Sequence, residues 1–149
     1  NKPITTNTTE IIESNYVANE KENLVVSFDQ IKKNILSKSF NVIDARSLER
    51  FEGKVSEPRK GLRSGHIQNS FCLPFNQCIN QKTGEFKNLE ELRELFNQNE
   101  NIEKRLDQVF TCGSGVTAAV LAYAYKMVNN DYIPKIYDGS WSEYGKYPA

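Results

Sequence analysis

Residues 108–120 read QVFTCGSGVTAAV. Four strand-like residues, Gln108 to Thr111, run into Cys112, two glycines within three positions, and then an alanine- and valine-rich segment of helical character. A strand that feeds a helix through a short glycine-bearing turn is the repeating unit of parallel α/β sheets. The same alternation extends outward in both directions. FNVIDAR (40–46) and SFCLPF (70–75) read as buried strands, the second ended by Pro74, and KIYDG (135–139) as a last one. LVVS (24–27) reads as a short strand, and Ser27-x-x-Gln30 after it is a capping box for a helix that presents Phe28, Ile31 and Ile35. Asn88-x-x-Glu91 caps another helix, with Leu89, Leu92, Leu95 and Phe96 on its apolar side. The segment Val116–Met127 is expected to be a helix with Val116, Val120, Ala124 and Met127 near one face, and SWSEYGK (140–146) a short terminal helix. The expected fold is α/β: a mostly parallel central sheet of about five strands with helices on both faces.

Composition sets limits on what such a chain does. Its 149 residues suit one domain with a proper core. Lys and Arg number 19, Asp and Glu also 19, so no global positive field points to nucleic acid. No apolar run reaches the length of a membrane span, and the polar opening NKPITTNTTE has no signal-peptide pattern. The chain opens on Asn1 and its only methionine is Met127, so it is expected to be part of a longer or processed protein. The Asn- and Thr-rich residues 1–23 read as a linker or arm pinned by Ile11, Ile12 and Tyr16, with the domain over 24–149. Cys72, Cys78 and Cys112 form no CxxC, and His66 is the only histidine, which argues against a disulfide framework and against a zinc site. Reduced thiols in a cytosol-like compartment are the simplest reading.

Chemistry concentrates at TCGSGVT. Ligand sites in parallel sheets lie at the carboxyl ends of strands. A helix start offers unpaired N–H groups and the positive end of the helix dipole. Gly113 and Gly115 let backbone amides turn around a small anion, and a thiolate held there has a lowered pKa. Spacing alone equally allows a cysteine that merely packs. A cysteine phosphatase needs an arginine six positions after its nucleophile, and that position here is Ala118, which removes the phosphate clamp. No Walker loop or dinucleotide fingerprint is present. The charged loop 47–67, with three glycines and a proline, is long enough to carry function.

CGSGVTAAV resembles the active-site loop of the 3-mercaptopyruvate sulfurtransferases, two-domain relatives of rhodanese. DARSLERFEG, SEPRKGLRSGHI and IYDGSWSEYG resemble further segments of that family, in the same order. The resemblance covers residues 24–149 and implies the catalytic C-terminal rhodanese-like domain, with residues 1–23 as the interdomain linker and an N-terminal rhodanese-like domain as partner. It implies Cys112 as nucleophile, Gly113, Ser114, Gly115, Val116 and Thr117 as the loop that cradles a persulfide, and Arg50 and Arg59 as binders of the substrate carboxylate. Ser114 is implied in proton transfer with an aspartate and a histidine of the other domain. Arg46 is expected to pair structurally with Asp44 or Glu57, and His66 to serve a turn. Of the other cysteines, Cys72 is expected in the core and Cys78 in a loop open to exposure; Asp138-Gly139-Ser140-Trp141 resembles the family's terminal loop beside the active site, with Trp141 packing the last helix as the favoured alternative.

The implied reaction takes sulfur from 3-mercaptopyruvate to a thiol acceptor of the thioredoxin kind, or to cyanide, with no cofactor, in cytoplasm or mitochondrial matrix. Neutral residues at Gly113 and Ser114 suit a donor whose charge sits on a carboxylate away from the reacting sulfur, whereas thiosulfate, a compact dianion, favours cations beside it. A thiosulfate:cyanide sulfurtransferase and a non-catalytic interaction module are the alternatives.

Overall fold

The computed structural model describes residues 4–148 apart from 9, 11, 20, 99–102 and 104. A 3-10 turn at Glu22–Leu24 leads into α1 (Phe28–Ser37), β1 (Phe40–Asp44), α2 (Leu48–Phe51) and β2 (Ser70–Cys72). A 3-10 helix at Phe75–Cys78 follows, then α3 (Leu89–Asn97), β3 (Asp107–Thr111), α4 (Val116–Val128), β4 (Lys135–Ile136) and α5 (Ser140–Tyr144). The sheet order is β2-β1-β3-β4, and every pairing is parallel. Among the described residues the sheet has four strands and one bridging segment beside them, in keeping with the expected parallel sheet of about five. LVVS contributes a single parallel bridge, Val25 to Ile136, because the 3-10 turn before it and the cap of α1 after it leave no length to extend.

Alternation along the strands builds two cores. Ile43 and Phe110 point to one face, where Leu73, Leu92, Phe96, Leu121 and Ala122 join them under α3 and α4. Val42 and Val109 point to the other, with Ile31, Ile67, Tyr137 and Trp141 under α1 and α5. Helices therefore cover both faces. Both capping boxes form: Ser27 Oγ accepts from the Gln30 amide, and Asn88 Oδ1 accepts from the Glu90 and Glu91 amides.

Three expectations shift. Val116 is 72% exposed, because α4 begins at the sheet edge; its buried side is Ala118, Leu121, Ala122 and Ala124. Cys78 is fully buried, since the 3-10 helix that carries it packs on α4. Ile12 and Tyr16 are exposed and pin nothing, and Ile11 lies outside the described residues. Among the described residues no helix is long and apolar enough to cross a membrane.

The carboxyl ends of the parallel strands share one edge. After β1 the chain enters α2 and the charged loop, after β3 the cysteine loop, and after β4 the turn before α5.

Candidate active site

The loop Cys112–Gly115 joins β3 to α4 within four residues. Gly115 is the N-cap of α4 with φ +83°, a backbone that favours glycine, and a β-carbon there would collide with the Asp138 carboxylate. This backbone folds the first amides of α4 back over the cysteine. The Ser114 N–H donates to Cys112 Sγ at 3.4 Å. Burial pushes the Cys112 thiol up, but hydrogen bonds from the Thr117 hydroxyl and from the Ser114, Ala118 and Thr117 amides together outweigh it, and its pKa lies below the ordinary 9.0. Burial pushes the other two thiols up, Cys72 to about 12 and Cys78 to about 11. Cys112 is thus the one cysteine of the three whose surroundings favour the thiolate.

The difference is measurable. The ultraviolet thiolate absorbance of the native chain, minus that of Cys112→Ser, is expected to titrate below pH 9. The thiolate is lost as pH falls through that depressed value. The Cys112→Ser chain itself is expected to show no thiolate until pH approaches 11. A difference titration at or above pH 9 would remove the cradle's electrostatic role.

Arg50 sits at the end of α2 and Arg59 in the loop beyond it. The fold brings both over Gly113: a β-carbon on that glycine would come within 3.0 Å of Arg50 Nη2 and 3.7 Å of Arg59 Nη1. Arg59 Nη1 also reaches the Gly113 carbonyl at 3.5 Å, is otherwise solvent-exposed, and pairs with no carboxylate among the described residues. Arg50 is aimed by Glu57, which accepts from its Nε at 3.2 Å and from its Nη2. The same carboxylate accepts from Arg46 Nη1 at 2.8 Å. Arg46 is buried, pairs with Asp44 through Nε and Nη2, and lies 4.5 Å from the Trp141 ring. Two arginines and two carboxylates thus balance in a largely buried network, and Arg59 stands outside it.

Ser114 is half-buried at the loop apex, and Thr117 lies in the first turn of α4. His66 is held away from chemistry: its Nδ1–H donates to the Phe51 carbonyl at 2.8 Å and its ring stacks on Phe51 at 4.0 Å. Trp141 is buried, and its Nε1 donates to the Arg63 carbonyl at 2.8 Å.

Sequence reasoning missed two features. One is the double engagement of Glu57. The other is Ser140, wholly buried behind the cysteine loop and bonded to the Cys112 and Gly115 amides. The resemblance put Asp138-Gly139-Ser140-Trp141 beside the site, but a serine between glycine and tryptophan carries no local signal of these two bonds.

A parallel α/β domain with a cysteine of lowered pKa at a strand-to-helix turn, under two arginines, is an arrangement able to carry covalent thiol chemistry. The family model described as Rhodanese-like domain matches residues 27–147, and the chain belongs to that family. It is 42% identical over 125 residues to an Arabidopsis thaliana protein named thiosulfate/3-mercaptopyruvate sulfurtransferase 1, mitochondrial, covering 84% of this chain and 32% of that protein. It is 39% identical over 120 residues to the Homo sapiens protein named 3-mercaptopyruvate sulfurtransferase, covering 80% and 39%. The crystal structure of SseA from Escherichia coli, titled as a 3-mercaptopyruvate sulfotransferase with the rhodanese fold, superposes with TM-score 0.71 at 31% identity, over 91% of this chain and 48% of that one. The chain therefore spans less than half the length of these relatives.

Proposed function

We propose that this chain is the cysteine-bearing domain of a sulfurtransferase that uses 3-mercaptopyruvate. The observation that carries the reading is the low-pKa Cys112 under Arg50 and Arg59, in a loop that is neutral at Gly113 and Ser114. The Arabidopsis and human relatives, both named for 3-mercaptopyruvate, support it.

In the proposed reaction Arg59 and Arg50 take the donor carboxylate through paired N–H groups. The Cys112 thiolate attacks the donor thiol sulfur. An S–S bond forms, the C–S bond breaks, and its electron pair leaves on carbon as pyruvate enolate, which a proton converts to pyruvate. In this reading Ser114, whose hydroxyl has no hydrogen-bond partner among the described residues, passes that proton together with groups of the other domain. The outer sulfur of the Cys112 persulfide then lies against the amides of Gly113, Ser114, Val116 and Thr117, donors preorganised for negative charge, whereas the Gly115 amide, expected in the same cradle, is bonded to Ser140 Oγ instead. An acceptor thiolate of the thioredoxin kind, or cyanide, then attacks the outer sulfur, and the S–S electron pair returns to Cys112. The cycle is ping-pong and uses no cofactor.

Residues 24–149 form the catalytic domain in this reading, with 1–23 as the linker from an N-terminal rhodanese-like domain. Leu48, Phe75 and Val116, all exposed apolar residues on segments that follow strands at the site's edge, fit a covered surface. The free state of all three cysteines suits cytoplasm or mitochondrial matrix.

A second reading is favoured by names among the relatives: that of the Arabidopsis protein includes thiosulfate, and a Gallus gallus protein 34% identical over 142 residues is named thiosulfate sulfurtransferase. Relative kcat/KM for the two donors decides between them. A preference of at least about tenfold for mercaptopyruvate, about 1.4 kcal/mol, is expected. A clear preference for thiosulfate would overturn the proposal.

A further inference from the structure

Segment 140–142 makes four hydrogen bonds to the backbone of the cysteine loop, and the reaction above uses none of them. Ser140 Oγ accepts from the Cys112 amide at 3.2 Å and the Gly115 amide at 3.0 Å. The Trp141 N–H donates to the Cys112 carbonyl, and the Ser142 N–H to the Gly113 carbonyl, each at 2.9 Å. Ser140 Oγ in turn donates to the Tyr137 carbonyl at 2.8 Å. The Thr111 hydroxyl also donates to Ser140 Oγ at 3.3 Å, so three donors share the two lone pairs of a hydroxyl whose proton goes to Tyr137.

Two further observations make this more than an ordinary buried serine. Ser140 is wholly inaccessible, and its φ is +51°, in the left-handed region that side chains other than glycine seldom adopt. The backbone accepts this conformation where it puts the hydroxyl behind the loop. The amides of the loop then divide into two sets. Those of Cys112 and Gly115 turn back onto Ser140, while those of Ser114, Thr117 and Ala118 turn onto Sγ. In a loop of four residues these orientations are coupled, since each peptide plane shared by neighbours fixes both.

We propose that Ser140 is a positioning residue for the sulfur-bearing loop: its hydroxyl clamps the Cys112 and Gly115 amides from behind and so aims the forward amides at Sγ and at the outer sulfur of a persulfide. The inference rests on Cys112 as the sulfur carrier, but its test reads the thiol itself. Ser140→Gly removes the hydroxyl and suits a φ of +51°. Ser140→Ala removes it and keeps the β-carbon. Either change leaves two buried N–H groups without a partner, and the loop must shift to satisfy them.

In both variants the Cys112 thiolate titration is expected to move up by about one pH unit. With mercaptopyruvate and a thiol acceptor, kcat is expected to fall about tenfold while KM stays within about twofold. A purely structural serine would lower the melting temperature and leave the titration in place. A folded Ser140→Gly chain whose Cys112 titrates as in the native protein would overturn the proposal. If neither variant folds, amide hydrogen exchange of the native chain decides. The Cys112 and Gly115 amides are expected to be protected like that of Phe110 in β3, and exchange at the rate of an open loop would overturn the clamp. Failure of the sulfur-transfer reading would look different: a native Cys112 that titrates low yet takes up no sulfur.

Discussion

Cys112→Ser is expected to abolish sulfur transfer and leave the fold standing. The substitution exchanges a sulfur for an oxygen in a buried site that already supplies hydrogen-bond donors from the Thr117 hydroxyl and the Ser114, Thr117 and Ala118 amides. A serine hydroxyl fits those donors, so thermal stability should change little. Chemistry is another matter. The step needs a thiolate near neutral pH and an S–S bond to hold the transferred atom, and a hydroxyl provides neither. A loss of at least about 10⁴-fold in kcat/KM is expected, read as pyruvate release from mercaptopyruvate with a thiol acceptor present. Cys72 and Cys78 cannot substitute, since burial holds both as neutral thiols at working pH. Residual turnover above about a hundredth of the native rate would place the nucleophile elsewhere.

Arg50→Ala is expected to weaken use of mercaptopyruvate by about 2–4 kcal/mol, the range for removing one partner of a desolvated, hydrogen-bonded charge pair. That is roughly a 30- to 1,000-fold loss in kcat/KM. Arg50 is only 25% exposed and held by Glu57, so its guanidinium is aimed before the donor arrives. The truncation also takes the partner of Glu57 Oε2, while Oε1 keeps its bond from Arg46, so a fall in melting temperature is expected alongside the kinetic loss. Arg59→Ala should cost less, since its guanidinium is solvated and only loosely tied to the Gly113 carbonyl. Thiosulfate, which has no distant carboxylate, should lose less than mercaptopyruvate in either variant. Equal losses for both donors would contradict the assignment of these arginines to the carboxylate.

The parts of this fold that were legible in the sequence are those set by neighbours along the chain. Ser27 with Gln30 and Asn88 with Glu91 are local capping motifs, and both helices begin where those pairs stand. The run from Gln108 to Val116 carries its own periodicity change, and β3, the cysteine loop and α4 follow it. What depended on distant contacts was misread or invisible. Val116 fits an apolar helix face by spacing, but the sheet ends beneath it. Cys78 sits in a polar-looking stretch, yet a 3-10 turn carries it under α4. Ser140 meets Cys112 across 28 residues of chain and through a left-handed backbone that its neighbours do not announce. The site divides in the same way. Spacing singled out the loop but left a nucleophile and a packed cysteine equally open, and the arginines rested on family resemblance; the fold sets both guanidiniums over Gly113.

The central claim is that sulfur passes through Cys112. Intact-mass and peptide-mass measurement after brief exposure to mercaptopyruvate, without acceptor, tests it most directly. A gain of one sulfur is predicted, confined to the peptide that contains Cys112, absent from Cys112→Ser and removed by cyanide. A native chain whose Cys112 titrates at its low pKa but remains unmodified, or a gain that maps to Cys72 or Cys78, would contradict the claim.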